Sequence, residues 1–424
     1  MSAQYIAIDL GAGSGRILLI DPSGSSREFC RFATGKLQCA NRLCWDHTAI
    51  REAVFRGVHE LAGVLTEAPL GISCDSWAQD FVMLDKAGEV LTAPVCYLDG
   101  QLKGAGERLA ARGLPQLPDI STACQLTVLD KPLLNQCSYI LNIADWINYE
   151  LSGSIAANYS MYSAGKLLDE QNHLHEALLS AMDIPGSIFP EMVSCQVIGN
   201  IKKDFPAILQ NVPVISGISH DSAAAFYALA PKLNEFAIIL GTWLMCAVIA
   251  PSQDECCKKA AKVIGITPES SAVYAAAPGM WAQTQCINAW KAAGIFPGYA
   301  AFDSAVANSQ YPGVFQAQWS EKPLLPEMVA AACTAGGFAP PQTLGDIGRA
   351  INAGVASSVK NAFAELENTL GRPFAEFNAG GGGIRNQPLM DMLQKTLQCP
   401  CLLQTIEASG AGNALSQQKA LQKA

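Results

Sequence analysis

The sequence predicts an α/β protein with two domains. Its 424 residues are well beyond the ~150 residues of a typical single domain, so two domains of about 200 residues are expected. Half of the residues are hydrophobic and 15% are charged, which provides enough apolar material for two large cores and too few charges for long disordered tails. Strand-like and helical patterns alternate along much of the chain, as they do in α/β domains.

The first element of each predicted domain is a glycine-containing hairpin. Residues 6–13 (IAIDLGAG) and 236–243 (FAIILGTW) are alike, and each is an apolar run followed by a glycine turn and another apolar run. This pattern is typical of a buried hairpin. We therefore expect two domains with the same opening strands, residues 1–230 and 231–424, although eight residues of common types also match by chance.

The elements between the two hairpins follow the same α/β pattern. Residues 73–80 are predicted to lie in two strands, and residues 212–219 form an apolar tract that is typical of a buried strand. A short helix is expected to open with the segment HDSAAAFYALA and to end at Pro231, because proline cannot continue a helix.

The second half contains the strongest helical pattern. Residues 346–370 carry apolar side chains along one stripe, and Gly371 follows as the expected C-terminal stop. Residues 374–397 predict a strand, a glycine turn and another helix. Proline and glycine cluster between residues 294 and 341, where we expect loops or a movable segment.

Charge and cysteine content disfavour several classes of protein. The net charge is −9 and no run of Lys or Arg exceeds two residues, which argues against nucleic acid as the main partner. An odd count of 15 cysteines does not resemble a disulfide framework, so we expect reduced thiols. No signal peptide pattern is visible, and the apolar run 236–250 is shorter than the ~18–20 residues of a membrane span. These features predict a cytoplasmic protein that does not bind membranes.

The first candidate site is the segment DLGAGSGR, residues 9–16. Its glycines let backbone N–H groups approach a phosphate, Ser14 can donate a hydrogen bond, and Arg16 can offset negative charge. Asp9 is a candidate ligand for Mg²⁺ or its waters. The segment is not a dinucleotide fingerprint, because Arg16 stands where glycine is needed, and no P-loop motif occurs in the chain. A tight hairpin whose aspartate caps the turn is the structural alternative.

Two segments of the second half are candidates for binding a nucleotide. Thr242 stands at the turn of the second hairpin, where it can contact the same phosphates as the first turn. The four glycines of residues 380–383 lie between a predicted strand and a predicted helix and leave bare backbone, which suits a nucleobase or ribose. For both segments a purely structural turn is the alternative.

Two polar motifs of the first half are candidates for acceptor chemistry. Asp221 follows a strand and, beside phosphates, can accept the proton of a substrate hydroxyl, although a helix N-cap has the same pattern. Trp77 and Asp80 place an aromatic face beside a carboxylate, as in sugar sites, although a half-buried strand has the same pattern. The paired cysteines and histidines lack the spacing of a zinc site.

The order of these motifs resembles that of the FGGY carbohydrate kinases. The similar strings include DLGAGSGR, CDSWAQDFVMLD, NIADW, VPVISGISHDSAA, ILGTWLM, NAGGGGIRN and EASGAGNAL, which are spread over nearly the whole chain. The resemblance implies two domains of the actin-like ATPase (ribonuclease H-like) fold, with ATP and sugar in a central cleft. It also implies Mg²⁺-dependent transfer of the γ-phosphoryl group of ATP to the C1 hydroxyl of a ketose such as L-rhamnulose.

The resemblance also assigns roles to individual residues. It makes residues 1–230 the sugar-binding domain with the first phosphate motif and residues 231–424 the ATP-binding domain, and Asp221 matches the catalytic base. The residues that match ATP-binding positions are Ala12, Gly13, Ser14, Gly15, Arg16, Thr242, Gly381, Gly382 and Gly383. The residues that match or adjoin sugar-binding positions are Trp77, Ala78, Asp80, His220 and Ser222.

Several positions depart from the family pattern near the expected sugar. Ala78 and Gln79 replace Gly-Val, Leu98 lies in a segment that lacks two arginines, and Ala276 replaces an asparagine. Two alternatives therefore stay open. The substrate can be another ketose or a polyol, or the protein can be a catalytically silent relative that binds sugar or nucleotide. Few cationic residues adjoin the motifs, so backbone amides, Arg16 and Mg²⁺ are expected to neutralise the phosphates. The expected partners are sugar and ATP, and the expected state is a monomer or homodimer.

Overall fold

The computed structural model describes residues 4–423, except positions 231, 233, 234, 261 and 321. Contacts divide the chain into two compact units. The first comprises Met1–Ala228, Ile264–Ser271 and Ser409–Ala424, and the second comprises Leu229–Val263 and Ala272–Ala408. The first break falls close to residue 230, where the sequence predicts a domain boundary, whereas the predicted helix end at Pro231 lies outside the described residues.

The strands, numbered in chain order, are β1 (Tyr5–Leu10), β2 (Ser14–Ile20), β3 (Ser26–Ala33), β4 (Lys36–Cys39), β5 (Arg42–Trp45), β6 (Gly71–Ser76), β7 (Phe81–Leu84), β8 (Tyr139–Asn142), β9 (Ala157–Asn158), β10 (Met192–Val193), β11 (Gln196–Asn200), β12 (Pro213–Ser216), β13 (Phe236–Leu240), β14 (Trp243–Pro251), β15 (Val263–Thr267), β16 (Ser270–Pro278), β17 (Phe377–Gly380) and β18 (Cys401–Thr405).

The α-helices, also numbered in chain order, are α1 (His47–Ala62), α2 (Ala105–Ala110), α3 (Thr122–Leu126), α4 (Lys131–Leu134), α5 (Ile143–Ser152), α6 (Tyr159–Ala164), α7 (Glu176–Ala181), α8 (Asp221–Leu229), α9 (Glu255–Lys259), α10 (Trp281–Ala292), α11 (Tyr299–Asn308), α12 (Pro326–Ala335), α13 (Leu344–Leu370), α14 (Gln387–Leu397) and α15 (Ala408–Leu421). Among the described residues, no helix is both long and apolar enough to cross a membrane.

The first unit is built on a sheet with the strand order β11-β12-β6-β1-β2-β3. Strand β1 is buried along its whole length, pairs antiparallel with β2 and parallel with β6, and β6 in turn pairs parallel with β12. The predicted first hairpin is therefore confirmed. Because β1, β6 and β12 run in the same direction, their carboxyl ends meet at one edge of the sheet, which is where α/β proteins place ligands.

The second unit has a sheet that repeats this arrangement, with β16-β14-β13-β17-β18 as neighbours. Strand β13 pairs antiparallel with β14 and parallel with β17, as β1 does with β2 and β6. The second predicted hairpin is therefore confirmed as well. The turn of each hairpin lies at the carboxyl end of its first strand, so both turns are at comparable positions of their own sheets.

Helix α13 is the long helix expected in the second half, and it begins two residues before the predicted start. Thr343 and Asp346 form a reciprocal capping box at its first turn, and Gly371 ends it in the left-handed conformation with φ 68°. These are the N-terminal and C-terminal signals that a helix of this length needs. Its apolar stripe packs against β14 and α14.

The expectation of loops between residues 294 and 341 is wrong in part. Helices α11 and α12 lie in this segment. Their buried side chains Phe302, Val306 and Val329 pack with Ile351 of α13 in a small core. Proline and glycine therefore mark the ends of these helices rather than a continuous loop, since Gly298 precedes α11 and Pro326 is the first residue of α12.

The C-terminal helix α15 packs with the first unit, although the sequence places it in the domain 231–424. Gln417 Nε2 donates to the carbonyl of Ile6 at 2.9 Å, and Asn413 Nδ2 donates to Asp75 Oδ2 at 2.6 Å. Both bonds are buried, and each joins residues more than 330 positions apart. Local sequence patterns carry no information on such pairings.

Candidate active site

Three carboxylates of the first unit lie at the carboxyl edge of its sheet. Asp9 of β1 and Asp75 of β6 are direct partners in the parallel register, and Asp221 is the first residue of α8, which follows β12. Burial raises the pKa of Asp75 well above its ordinary value, and the negative charges of Asp9 and Asp221 raise it further. Such mutual repulsion is expected where several carboxylates share a site of low polarity.

Asp9 is held by a charged partner and a hydroxyl. The Arg16 guanidinium donates to Asp9 Oδ2 from Nε at 3.1 Å and from Nη2 at 2.7 Å, and the two residues are opposite each other in the β1–β2 hairpin. Ser409 donates to the same oxygen. Asp9 is 3% exposed, so it is a buried carboxylate whose charge Arg16 balances, rather than only a turn cap.

Asp75 is a site residue that sequence reasoning missed. It is fully buried, its Oδ2 accepts from Asn413, and its Oδ1 has no hydrogen-bond partner among the described residues. The signal was present in the string CDSWAQD, because an acidic residue in an otherwise apolar strand next to β1 is costly to bury. Only the pairing of β1 with β6 shows that Asp75 stands beside Asp9.

Asp221 has the chemistry of a base that works near neutral pH. Its Oδ1 accepts from the backbone N–H of Ser222 at 2.5 Å and from the Ser222 hydroxyl at 3.1 Å. Burial, followed by the negative charge of Asp9, raises the pKa of Asp221 to about 7. About a quarter of the side chain, 27%, is exposed, so a ligand can reach the carboxylate.

His220 lies next to this carboxylate and is neutral at physiological pH. Its Nε2 is 3.5 Å from Asp221 Oδ1, too long for a strong hydrogen bond. Burial, with a smaller contribution from the charge of Lys166, lowers the pKa of His220 to about 4. A neutral imidazole has one donor and one acceptor nitrogen, which suits contact with an uncharged hydroxyl.

The loop that carries His220 and Asp221 is fixed by side chains that the sequence did not single out. Asn158 Nδ2 donates to Ser216 Oγ and to the Gly217 carbonyl, at 2.9 and 2.8 Å. Ser160 accepts from the backbone N–H of His220 at 3.1 Å. These partners are buried, so the loop is rigidly attached to the start of α6.

The turn between β1 and β2 presents the predicted phosphate residues in different environments. Gly13 is exposed, while Ala12 and Ser14 are partly exposed, and Ser14 Oγ accepts from Arg31 Nη1 at 3.3 Å. Gly15 is buried, and an added Cβ would lie 2.4 Å from the Phe32 ring. Packing therefore requires glycine at position 15, whereas positions 12–14 are open to a ligand.

Trp77 and Asp80 lie together, as predicted, but the Asp80 carboxylate already accepts hydrogen bonds from other side chains of the protein. It accepts from the indole N–H groups of Trp45 and Trp77, at 2.5 and 2.9 Å, and from Gln125 Nε2 at 2.7 Å. Asp80 is fully buried, and burial raises its pKa to about 6. Its side chain orients two indoles that pack against each other in a tilted arrangement, with centroids 4.1 Å and planes 36° apart.

Ala78 and Gln79, which lie between Trp77 and Asp80, do not match the expectation that this position faces the sugar. Ala78 is 5% exposed and belongs to the hydrophobic core, so little of its side chain is available to a ligand. Gln79 has φ 83°, which is strained for a residue with a Cβ. Its carbonyl accepts from the Thr122 hydroxyl at 2.7 Å and from Gln125, and these bonds hold the turn.

In the second unit, Thr242 lies in a turn that is braced by the start of α10. The carbonyl of Thr242 accepts from the N–H of Gly279 at 3.0 Å, and the carbonyl of Gly241 accepts from the N–H of Met280 at 2.8 Å. An added Cβ at Gly279 would lie 2.6–2.7 Å from backbone atoms of this turn. The bracing leaves the Thr242 side chain on a rigid support.

In the glycine turn after β17, some glycines are required by close packing and one is not. An added Cβ at Gly381 would lie 2.8 Å from the Leu240 carbonyl, and one at Gly383 would lie 2.7 Å from Leu240 Cβ. Gly381 also has φ 87°. Gly382 has no heavy atom within 4 Å of an added Cβ, so only this position offers bare backbone without a packing reason.

Two exposed tryptophans stand beside the turn of the second unit. Trp243, the residue after Thr242, is 44% exposed and stacks on Trp319, which is 42% exposed, with ring centroids 5.0 Å apart. Trp281 packs against Trp319 from α10. In the sequence, Trp243 stands out only as part of the motif around Thr242, and no local pattern marks Trp319.

The carboxylates of the described residues do not form a closed metal centre. Within the described part of the chain, no group of three or more His, Cys, Asp or Glu side chains is arranged to hold a metal ion. Magnesium bound together with a nucleotide needs only one or two protein carboxylates, because phosphates and waters supply the other ligands. Asp9 and Asp75 are compatible with that mode of binding.

Comparison with known proteins agrees with this geometry. Residues 130–227 match the model of the FGGY family of carbohydrate kinases, N-terminal domain, and residues 236–421 match its C-terminal domain. The rhamnulokinase of Yersinia pestis (strain Pestoides F) is 28% identical over 443 residues, covering 97% of this chain and 89% of that protein. The rhamnulokinase of Oceanobacillus iheyensis is 23% identical, covering 99% and 94%.

Solved structures share the fold. A ligand-bound xylulose kinase from Lactobacillus acidophilus has a TM-score of 0.79 at 16% identity, covering 100% of this chain and 90% of that chain. Plasmodium falciparum glycerol kinase with ADP has a TM-score of 0.77 at 14% identity, covering 100% and 91%. The predicted actin-like ATPase fold is thereby confirmed. Since the two family models together match well over half of its residues, the chain belongs to the FGGY family of carbohydrate kinases and is a sugar phosphotransferase.

Proposed function

We propose that this kinase transfers the γ-phosphoryl group of ATP to a hydroxyl of a ketose, converting L-rhamnulose or a closely similar sugar to its 1-phosphate. The observation that carries the proposal is the Asp221 carboxylate, accessible, next to a neutral His220, with a pKa raised to about 7. The relatives named rhamnulokinase support this choice of sugar.

Asp221 is the proposed general base. Its ionised carboxylate accepts the proton of the sugar hydroxyl while that oxygen forms a bond to the γ-phosphorus, and the bond from the γ-phosphorus to the bridging oxygen of ADP breaks. A base whose pKa lies near the working pH is ionised often enough and still accepts a proton readily. The raised pKa of Asp221 meets both conditions.

For the nucleotide, we propose that both hairpin turns and the glycine turn are used. Ala12, Gly13 and Ser14 are open to a phosphate, while Gly15 and Arg16 hold the turn in shape. Thr242 is proposed to donate to a phosphate from its braced turn. The segment Gly381, Gly382 and Gly383 is proposed to contact the adenosine, with Gly382 as the point of close approach. Positioning and charge neutralisation of this kind account for most of the catalysis in phosphoryl transfer.

Magnesium is proposed to bind with ATP. Asp9, directly or through water, is the proposed protein ligand. The Oδ1 of Asp75, which has no hydrogen-bond partner among the described residues, gives a second oxygen beside it. When bound, the ion would neutralise phosphate charge. On the protein side, the two hydrogen bonds from Arg16 orient the Asp9 carboxylate for this purpose.

The sugar is proposed to contact Trp77, His220 and Ser222, with Asp80 orienting the indoles of Trp45 and Trp77. Ala78 is proposed to affect sugar choice through its backbone, since its side chain is buried. We also propose a cytoplasmic location and a monomeric or dimeric state.

The test is an assay of ADP release with ATP, Mg²⁺ and a panel of ketoses, polyols and aldonates. Turnover with L-rhamnulose that exceeds turnover with the other acceptors by at least tenfold supports the specific proposal. A clear preference for another ketose or a polyol keeps the reaction and replaces the substrate. No turnover with any acceptor, together with measurable binding of ATP, would identify a catalytically silent relative.

A further inference from the structure

The turn between β1 and β2 is surrounded by more cationic side chains than its local sequence shows. Arg31 and Lys36 come from the following strands and reach the turn from outside the motif, at Ser14 and Ala12 respectively. The expectation that Arg16 alone supplies side-chain charge near these phosphates is therefore incomplete. The contacts of each cation decide which of them is available to a ligand.

Lys36 is attached directly to the turn. Its Nζ donates to the carbonyl of Ala12 at 3.1 Å, and Thr34 Oγ1 donates to the neighbouring carbonyl of Gly11 at 2.8 Å. Two successive carbonyls of the turn are thus bound by side chains of one short segment. An ammonium group has three N–H donors, so Lys36 can keep its bond to Ala12 and still donate to a phosphate.

The register of β4 and β5 fixes the other side of Lys36. Lys36 is the direct partner of Trp45 across this hairpin, and Nζ is 4.4 Å from the centroid of the Trp45 ring. Trp45 is held in turn by its hydrogen bond to Asp80 and by its packing against the tilted Trp77 ring. The ammonium therefore lies between the phosphate turn and the aromatic pair, which are the proposed sites of ATP and sugar.

Lys36 differs from the two arginines in its ion pairing. Arg16 is paired with Asp9, and Arg31 is paired with Glu28. Lys36 contacts a carbonyl and an aromatic face, neither of which has a net charge, and no carboxylate of the described residues forms an ion pair with it. Because the phosphates of ATP are anionic, a cation whose charge no carboxylate already balances is the side chain best suited to pair with them.

We propose that Lys36 binds the terminal phosphate of ATP and stabilises the charge on the phosphoryl group during its transfer. The role rests on the proposed function, because it takes the turn as the phosphate site. Lys36 forms no covalent bond. It donates hydrogen bonds to oxygens of the transferred group while the proton of the acceptor passes to Asp221 and ADP leaves.

The experiment compares Lys36→Met and Lys36→Arg with the wild type and with the control Lys86→Met. Lys86 is an exposed lysine elsewhere in the first unit. Binding of ADP and of a non-hydrolysable imido analogue of ATP is measured by calorimetry, and kcat and KM by ADP release. Because ADP lacks the terminal phosphate, Lys36→Met should lose about tenfold or more in affinity for the ATP analogue and little for ADP. Its kcat should fall by roughly 10- to 100-fold, and Lys36→Arg should keep the preference for the analogue.

An unchanged ratio of the two affinities in Lys36→Met overturns the assignment, even if the wild type phosphorylates sugar. The converse result separates the two proposals. If the wild type prefers the ATP analogue, Lys36→Met loses the preference and no sugar is turned over, the phosphate contact stands and the sugar reaction is wrong. Equal melting temperatures of the variants and the wild type exclude loss of folding as the cause.

Discussion

Asp9 and Asp75 lie directly opposite each other on the parallel strands β1 and β6, so two carboxylates of a buried sheet are neighbours. Arg16 balances the first, and the second keeps one oxygen without a partner among the described residues. Burying two carboxylates together is costly in free energy. A cation at this edge, such as the Mg²⁺ proposed to bind together with ATP, would offset that cost.

Asp75→Asn should therefore change the dependence of the enzyme on Mg²⁺. The amide keeps the shape of the side chain but cannot ionise, so it cannot supply a negative oxygen next to Asp9 when the ion binds. We expect a several-fold increase in the Mg²⁺ concentration that gives the half-maximal rate, at saturating sugar. A Mg²⁺ titration of the rate that is identical for both proteins would show that Asp75 has no part in binding the ion.

Asp221→Asn should lower kcat by several orders of magnitude and leave nucleotide affinity nearly unchanged. The substitution removes the proton acceptor but none of the proposed phosphate contacts. Single-turnover rates and calorimetric binding of ADP measure the two effects. Asp204→Asn, at an exposed aspartate, is the matched control, and a near wild-type rate in Asp221→Asn would remove Asp221 from the mechanism.

The pH dependence of kcat/KM should follow the ionisation of Asp221. Since the pKa of this carboxyl is raised to about 7, the rate should increase about tenfold per pH unit below that value and level off above it. The measurement is a series of initial rates between about pH 5 and 9 at low sugar concentration. A profile that is already flat from about pH 5 upwards would mean that the base titrates at its ordinary pKa.

The ionisation of Asp221 should also affect folding stability, but here the effect of increasing pH is unfavourable, whereas it increases the rate. The folded protein holds the Asp221 proton more tightly than the unfolded chain does, because the pKa is raised from 3.8 to about 7. Its contribution to stability is therefore present at low pH and is lost as pH increases from about 4 to 7. Asp221→Asn should melt at a higher temperature than the wild type at about pH 8, and the difference should shrink towards about pH 4.

The glycine turn allows a paired test of packing against binding. Gly383→Ala should lower the melting temperature, because the new Cβ would lie 2.7 Å from Leu240 Cβ and 2.8 Å from its carbonyl oxygen, and overpacking costs about 1–3 kcal/mol. Gly382→Ala should leave the melting temperature unchanged and raise KM for ATP. If both variants keep the wild-type KM, the turn does not contact the nucleotide.

The motifs of the site could be predicted from the sequence because each is local. The hairpins around Gly11 and Gly241 and the helix that starts at Asp221 are encoded by neighbouring residues, and the structure contains all three. Asp75, Asn413 and Lys36 could not be assigned in this way. Their roles depend on partners brought together by strand pairing and by α15, and a single sequence gives no register between distant strands.

For some residues that the sequence identified as ligand-binding candidates, contacts within the buried interior give a structural role instead. Asp80 has the carboxylate expected of a sugar site, yet Trp45, Trp77 and Gln125 already donate to it. Gly15 and Gly383 stand in glycine-rich motifs, yet contacts within the protein suffice to require glycine at both positions. A motif specifies residue types, whereas only packing tells which of them are free for a ligand.

A crystal structure with ADP and L-rhamnulose is the most direct test of whether Asp221 takes the proton of the acceptor hydroxyl. We predict that the C1 oxygen of the sugar lies within hydrogen-bond distance of the Asp221 carboxylate, about 2.6–3.2 Å. A bound ketose whose hydroxyl groups are all more than about 5 Å from Asp221, with no bridging water, would contradict it.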